Sequence, residues 1–167
     1  MKQLKLRNMR AYLIMIFVFF VSLQLNAQHL VKSEKFKISF QVAEILENYV
    51  TESDSVLGYE NDNYAVDIEI VALTEETEEF ISNLKYGAKT IAIEMGFENI
   101  VNGGIIPNIE DAYYVITQEK EGNTLVPVYI LAIINFDQKI AYEISIYCYN
   151  LNKLEGENIV KSFKLEN

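Results

Sequence analysis

The stretch "VPVYILAIINF", residues 126–136, is apolar on both of its alternating sets. Val128, Ile130, Ala132 and Ile134 fall on one face of an extended chain, and Tyr129, Leu131 and Ile133 on the other. A strand with no wet face is buried on both sides. The segment therefore predicts an internal strand with a covering layer above and below. Pro127 fits only near its beginning, where no ladder bond needs the missing N–H.

The neighbours of this strand read as strands too. "AYYVITQEK" (112–120) precedes it through the turn "EGN", and "KIAYEISIYCYN" (139–150) follows through "DQ" at 137–138. In the later strand Tyr142, Ile144, Ile146 and Cys148 share one face. Ala141, Glu143, Ser145, Tyr147 and Tyr149 share the other. Cys148, the only cysteine, continues an apolar row and reads as a small hydrophobe. A nucleophilic thiol needs positive surroundings or a base, and the nearest basic residues in sequence are Lys139 and Lys153. One cysteine also excludes an internal disulfide. Tyr147 and Tyr149 are candidates for a binding surface, against the plainer reading that they cover a sheet flank.

Upstream the period changes. From Thr74 to Met95 the apolar positions Phe80, Ile81, Leu84, Ala88, Ile91, Ala92 and Met95 step by threes and fours. That is one stripe of an amphipathic helix. Thr74 suits the N-cap and Gly96 the C-terminal stop. Glu75, Glu76, Glu78 and Glu79 crowd the first turns, where they complement the helix dipole or form an acidic docking surface. "FENIVNGGIIPNIED" (97–111) reads as a loop with a short strand at Ile105–Ile106.

Earlier still, "SVLGYE" (55–60) and "YAVDIEIVAL" (64–73) form a hairpin around "NDN". Tyr64, Val66, Ile68 and Ile70 alternate with Asp67 and Glu69, so one sheet face is wet here. "AEILENYV" (43–50) reads as one or two helical turns. "FKISFQV" (36–42) alternates as a half-buried strand. At the other end "LEGENIVKSFKL" (154–165) offers Ile159, Val160 and Phe163 at helical spacing, with Gly156 weakening the first turn.

The N-terminus has another character. Lys2, Lys5, Arg7 and Arg10 precede a 13-residue run, Ala11–Leu23, broken only by Ser22. "QLNA" then ends at small Ala27. This is the layout of a secretory signal peptide cut between Ala27 and Gln28. The run is short for a spanning helix. The expectation is thus a signal peptide (1–27), a flexible arm (28–35) and a single domain (36–167) in a periplasmic or secreted protein, with no stable membrane span after cleavage. Removing the leader leaves 10 basic against 24 acidic residues, a net charge of −14. Such a surface disfavours nucleic acid and anionic membranes.

Few chemistries survive inspection. His29, the only histidine, lies in the expected arm, away from the rigid frame that a catalytic histidine needs. One histidine and one cysteine make no zinc site. Gly103 and Gly104 precede no Lys–Ser/Thr pair, so "NGGIIPN" is no phosphate loop. Glu60, Asp62, Asp67 and Glu69 cluster around one hairpin. They are candidates for an acid pair or a calcium site, although EF-hand spacing is absent. No catalytic residue, cofactor or metal ligand is assigned.

The element order is strand, short helix, hairpin, long helix, three antiparallel strands and terminal helix. With "FKISF" (36–40), "EMGF" (94–97) and "NIVKSFKL" (158–165), the chain resembles the PsbP-like superfamily, in particular its small exported bacterial members of unknown role. The resemblance implies an α+β fold: a central antiparallel sheet of about six strands, with one long helix and a C-terminal helix packed on it. It also implies a binding or assembly accessory role in the cell envelope, with an envelope protein or small ligand as partner. The alternative is a carboxylate-based hydrolase, with or without a divalent cation. Oligomeric state is not legible in these residues. Intact mass of the protein from its native host should begin at Gln28, and a membrane-bound form retaining Met1 would overturn the signal peptide.

Overall fold

The computed structural model describes residues 28–49, 54–74 and 84–166, with Leu84 described by its backbone alone. The expected signal peptide lies outside the described residues, as do Glu75, Glu76, Glu78, Glu79, Phe80 and Ile81.

The fold is α+β. Its centre is a seven-stranded sheet, antiparallel throughout. In chain order the strands are β1 (His29–Ser33), β2 (Ile38–Val42), β3 (Glu47–Tyr49), β4 (Val56–Glu60), β5 (Tyr64–Ala72), β6 (Val101–Ile105), β7 (Ala112–Glu121), β8 (Thr124–Asn135), β9 (Ile140–Cys148) and β10 (Lys164–Leu165). Helix α1 spans Leu84–Glu94 and α2 spans Lys153–Ser162. The large sheet runs β3-β4-β5-β9-β8-β7-β6, and a small sheet runs β1-β2-β10.

Strand β8 is internal and buried on both faces, as its two apolar sets require. Tyr129, Leu131 and Ile133 enter the larger core with Ile144, Ile146 and Cys148 of β9 and Val66 and Ile68 of β5. The small sheet and α2 close that core together: Phe36, Ile38, Phe40 and Val42 join it alongside Ile159, Val160 and Phe163. Phe40 stacks on Phe163 with centroids 4.8 Å apart. Val128, Ile130 and Ala132 face the opposite way and pack with Val115 under Ala88, Ile91 and Ala92 of α1. The β8–β9 ladder begins at Val128, so Pro127 has no β9 partner beside it.

Three buried tyrosines tie the covering elements down by their hydroxyls, the polar tips that a buried tyrosine must satisfy. Tyr129 donates to the carbonyl of Lys153 at 2.7 Å, and Tyr142 to that of Phe36 at 2.7 Å. Tyr64 donates to the Glu155 carboxylate. Each bond joins the large sheet to α2 or to the β1–β2 turn.

Helix α1 ends as its sequence predicts. Gly96 takes φ +85°, its N–H donates to Ile93, and the Phe97 N–H donates to Ala92. This is the Schellman pattern, and Phe97 adds the usual apolar contact beside Ala92. Met95 does not continue the packed stripe; it is 46% exposed. The expected first turns after Thr74, residues 75–83, lie outside the described residues.

Several local expectations change. Residues 29–33, expected as part of a frayed arm, pair with β2 as β1. Apolar partners on β2 and the Ser33 hydroxyl, which accepts from the Phe36 N–H at 3.0 Å, hold them. "AEILENYV" contributes no described helix but the edge strand β3. Pairing with β4 overrides its helix propensity, because Gly58 leaves open space that the Tyr49 ring fills. Around Gly103 and Gly104 an edge strand forms at Val101–Ile105, with a register shift between Asn102 and Gly104.

Gly156 proves to be a site of close approach rather than merely a weak point. A Cβ there would fall 2.7 Å from Cys148 Sγ and 2.9 Å from Tyr129 Cζ. Helix α2 therefore crosses β8 and β9 with backbone against side chain. Gly87 of α1 differs, since a Cβ there would meet only Ala132 Cβ at 3.9 Å. The two helix glycines should respond oppositely to alanine. Gly156→Ala should cost about 1–3 kcal/mol by overpacking, whereas Gly87→Ala should stabilise by about 0.5–1 kcal/mol through helix propensity. Urea melts of both variants check this, and a stabilising Gly156→Ala would refute the crossing.

Candidate functional site

Helix α1 covers β7 and β8 and stops there. On the same side, strands β9, β5, β4 and β3 have no covering element among the described residues. The ladder registers build that face in rows. One row runs Tyr49, Gly58, Asp67, Ser145, Ile130. The next runs Val56, Glu69, Glu143, Ala132. A third runs Glu60, Ala65, Tyr147, Val128. Two rows start polar at the β3–β4 edge, at Tyr49 and Glu60, and the row between them starts at Val56; all three end apolar on β8, under α1.

A cleft of about 350 Å³ lies at that change, between α1 and the β5–β9 surface. Its floor carries Asp67, Glu69, Glu143 and Ser145; Ile91, Met95 and Tyr147 stand on its walls. Past Met95 and Tyr147 it continues into a second hollow of about 480 Å³, beside Glu98, Glu119, Lys120 and Leu125. Tyr147 and Tyr149 stack with centroids 6.3 Å apart, and Tyr149 is 39% exposed.

Charge on this floor is unbalanced. Glu143 and Glu69 are direct cross-strand partners, and like charges placed opposite each other destabilise a sheet. Glu143 is half-buried, and its pKa is raised first by burial, then by Glu69 and by Glu94 of α1. None of Asp67, Glu69, Glu143 and Glu94 forms a salt bridge among the described residues. Asp67 accepts a hydrogen bond from the Tyr49 hydroxyl, which helps push the tyrosine pKa upward after burial.

The four hairpin carboxylates picked out by sequence thus separate. Asp67 and Glu69 point into the cleft, while Glu60 and Asp62 lie exposed at the hairpin end. Their new companion is Glu143, which alternation placed on the wetter face of its strand but did not mark as a site residue. Only the β5–β9 register brings it against Glu69. Among the described residues no group of three or more His, Cys, Asp or Glu side chains converges as a metal-ligand set.

Cys148 sits far from this chemistry. It is fully buried in the main core, and burial, helped by Glu155, pushes its thiol up to about 12. It is a packing residue under Gly156. His29 lies exposed on β1, in the small sheet.

No protein-family model matches the chain, and no curated protein does. Solved structures that share its shape include two of Mog1. One is a mutant of protein Mog1, with TM-score 0.55 and 9% identity, covering 84% of this chain and 96% of that one. The other is the Saccharomyces cerevisiae Ran-binding protein Mog1p, with TM-score 0.55 and 9% identity, covering 83% and 95%. The fold is that of Mog1. At this identity the likeness concerns fold alone. It corrects the family expected from sequence: the structure matches the Mog1 fold, not a PsbP-like family. The secretory expectation rested on residues 1–27, which lie outside the described residues, and a likeness of fold carries no location. Among the described residues no helix is long and apolar enough to cross a membrane.

The raised pKa of Glu143 has a direct consequence for stability. A carboxyl whose folded pKa lies above its unfolded value favours folding while protonated and loses that contribution as pH rises through the folded value. Glu143→Gln should therefore raise the melting temperature at neutral pH. The gain should vanish below the ordinary glutamate value of 4.5, where both proteins carry a neutral group. A melting-temperature series across pH checks this; a destabilising Glu143→Gln at pH 7 would mean that the carboxylate has a hidden cation.

Proposed function

We propose that this chain is a non-enzymatic binding module that docks a protein partner on the sheet face beside α1. The observation that carries the reading is that face itself: stacked, part-exposed tyrosines and the half-buried Glu143 set against Glu69, with no covering element among the described residues. Tyrosine is suited to such surfaces, offering a large apolar body and a polar tip. The Ran-binding description of a protein with the same fold supports protein binding as the class of role.

The hydrolase alternative draws less support. An acid–base pair needs two carboxyls whose environments push their pKa values apart across a substrate. Here Asp67 is engaged by Tyr49, and Glu69 lies exposed beside Glu143.

Site-specific photo-crosslinking in native cells tests the docking face. A benzophenone side chain at position 149 should give discrete protein adducts. The same group at position 154, exposed at the start of α2, should give none. Adducts at 154 alone, or at neither position, would contradict the reading.

A further inference from the structure

The floor and walls of the cleft make opposite demands on whatever occupies it. Glu69 and Glu143 call for a cation, and Glu94 strengthens the call. Ile91, Met95 and Tyr147 call for apolar surface. An arginine or lysine side chain meets both, with a charged head on an aliphatic stem. Arginine adds a planar fork that pairs with carboxylates and stacks on tyrosine. No basic residue among the described residues lines this cleft; Lys120 stands in the hollow beyond it.

We infer that the cleft receives a basic segment of the protein partner, its arginine or lysine stem lying against Met95 and Tyr147 and its head between Glu69 and Glu143. This rests on the binding-module reading and names the partner's chemistry. Two features favour a chain segment over a free small cation. The trough runs on past Met95 and Tyr147 into the second hollow, which again has an apolar wall, Leu125, and carries two carboxylates, Glu98 and Glu119, against one lysine, Lys120. Carboxylates thus outnumber cations along the whole line, as an extended segment with alternating basic residues requires. A second copy of this chain is a poorer match, because a chain of net charge −10 brings like charge to an acidic face. Bound there, the segment separates two carboxylates that otherwise face each other unpaired.

Fluorescence anisotropy on the full chain tests this with a defined probe. The probe is a fluorescein-labelled hexapeptide of alternating glycine and arginine, in about 0.15 M salt. Replacing Glu69 and Glu143 together by glutamine should raise the Kd about tenfold, or about 1.4 kcal/mol. The control removes the same charge elsewhere, as Glu110→Gln with Asp137→Asn, two exposed positions beside another hollow. It should change the Kd by less than about twofold. Equal weakening by both pairs would mean that net charge alone attracts the peptide, and would overturn the site. Free argininamide competing at the peptide's own concentration would make it a small-cation site, which also overturns the proposal. So would binding that emerges only after residues 75–83 are replaced by glycine and serine, since the chain's own segment would then be the occupant. Dimerisation in sedimentation that is lost in the glutamine pair would put a second copy there instead. Adducts at position 149 alongside a negative peptide result would retain the docking face and remove only its cation chemistry. Loss of both would remove both.

Discussion

One strand has to be dry on two sides, and the rest of the molecule follows from that. Strand β8 presents Tyr129, Leu131 and Ile133 to one core and Val128, Ile130 and Ala132 to another. Neither set can be left in water without losing the favourable burial that drives folding. Two covering layers are therefore needed, and they are unequal. On one side the small sheet and α2 extend across the strands from β5 to β8. On the other, among the described residues, helix α1 covers β7 and β8. The face beyond α1 that no described element covers is the remainder of that inequality.

The sealed side shows how tightly the layers must meet. Helix α2 approaches until its backbone at Gly156 lies against Tyr129 and Cys148. Its N-terminus is capped by Asn152, whose side chain accepts from the Glu155 N–H at 3.3 Å. Glu155 in turn accepts from Tyr64, and the Lys153 carbonyl from Tyr129. The first turn of α2 is thus pinned by the two tyrosines it covers. On the other side no described element is pinned in this way. The rows there run to the β3–β4 edge, where Tyr49 bends over Gly58 to reach Asp67. A face left half-wet has room for carboxylates, and also for something else to bind.

Period was legible wherever one residue type dominated a face. The two-sided strand 126–136, the alternating 64–70 and the helical step through Ala88, Ile91 and Ala92 all appear as read. Short segments failed where pairing partners outweigh local preference. "AEILENYV" has helix-forming residues, but an edge strand becomes available only once β4 offers Gly58. Residues 29–33 look like a tail until β2 lies beside them. The candidate site was half legible for the same reason. Asp67, Glu69 and Tyr147 stood out by alternation. Glu143 gained meaning only from a register that sets it opposite Glu69, and no single strand encodes its neighbour. The local patterns in "FKISF" and "EMGF" pointed to one family while the assembled shape matches another protein's fold.

Among the described residues the sheet has one sealed face and one half-open face, and tyrosines report on both. Hydroxyl-radical footprinting with residue-level mass spectrometry reads their exposure directly in the native protein. Tyr149 should oxidise readily and Tyr147 and Tyr49 at intermediate rates, because they line the open face. Tyr64, Tyr129 and Tyr142, all fully buried, should stay protected until the protein unfolds. Protection of Tyr147 and Tyr149 equal to that of Tyr142 would show the second face to be covered, and would contradict the account.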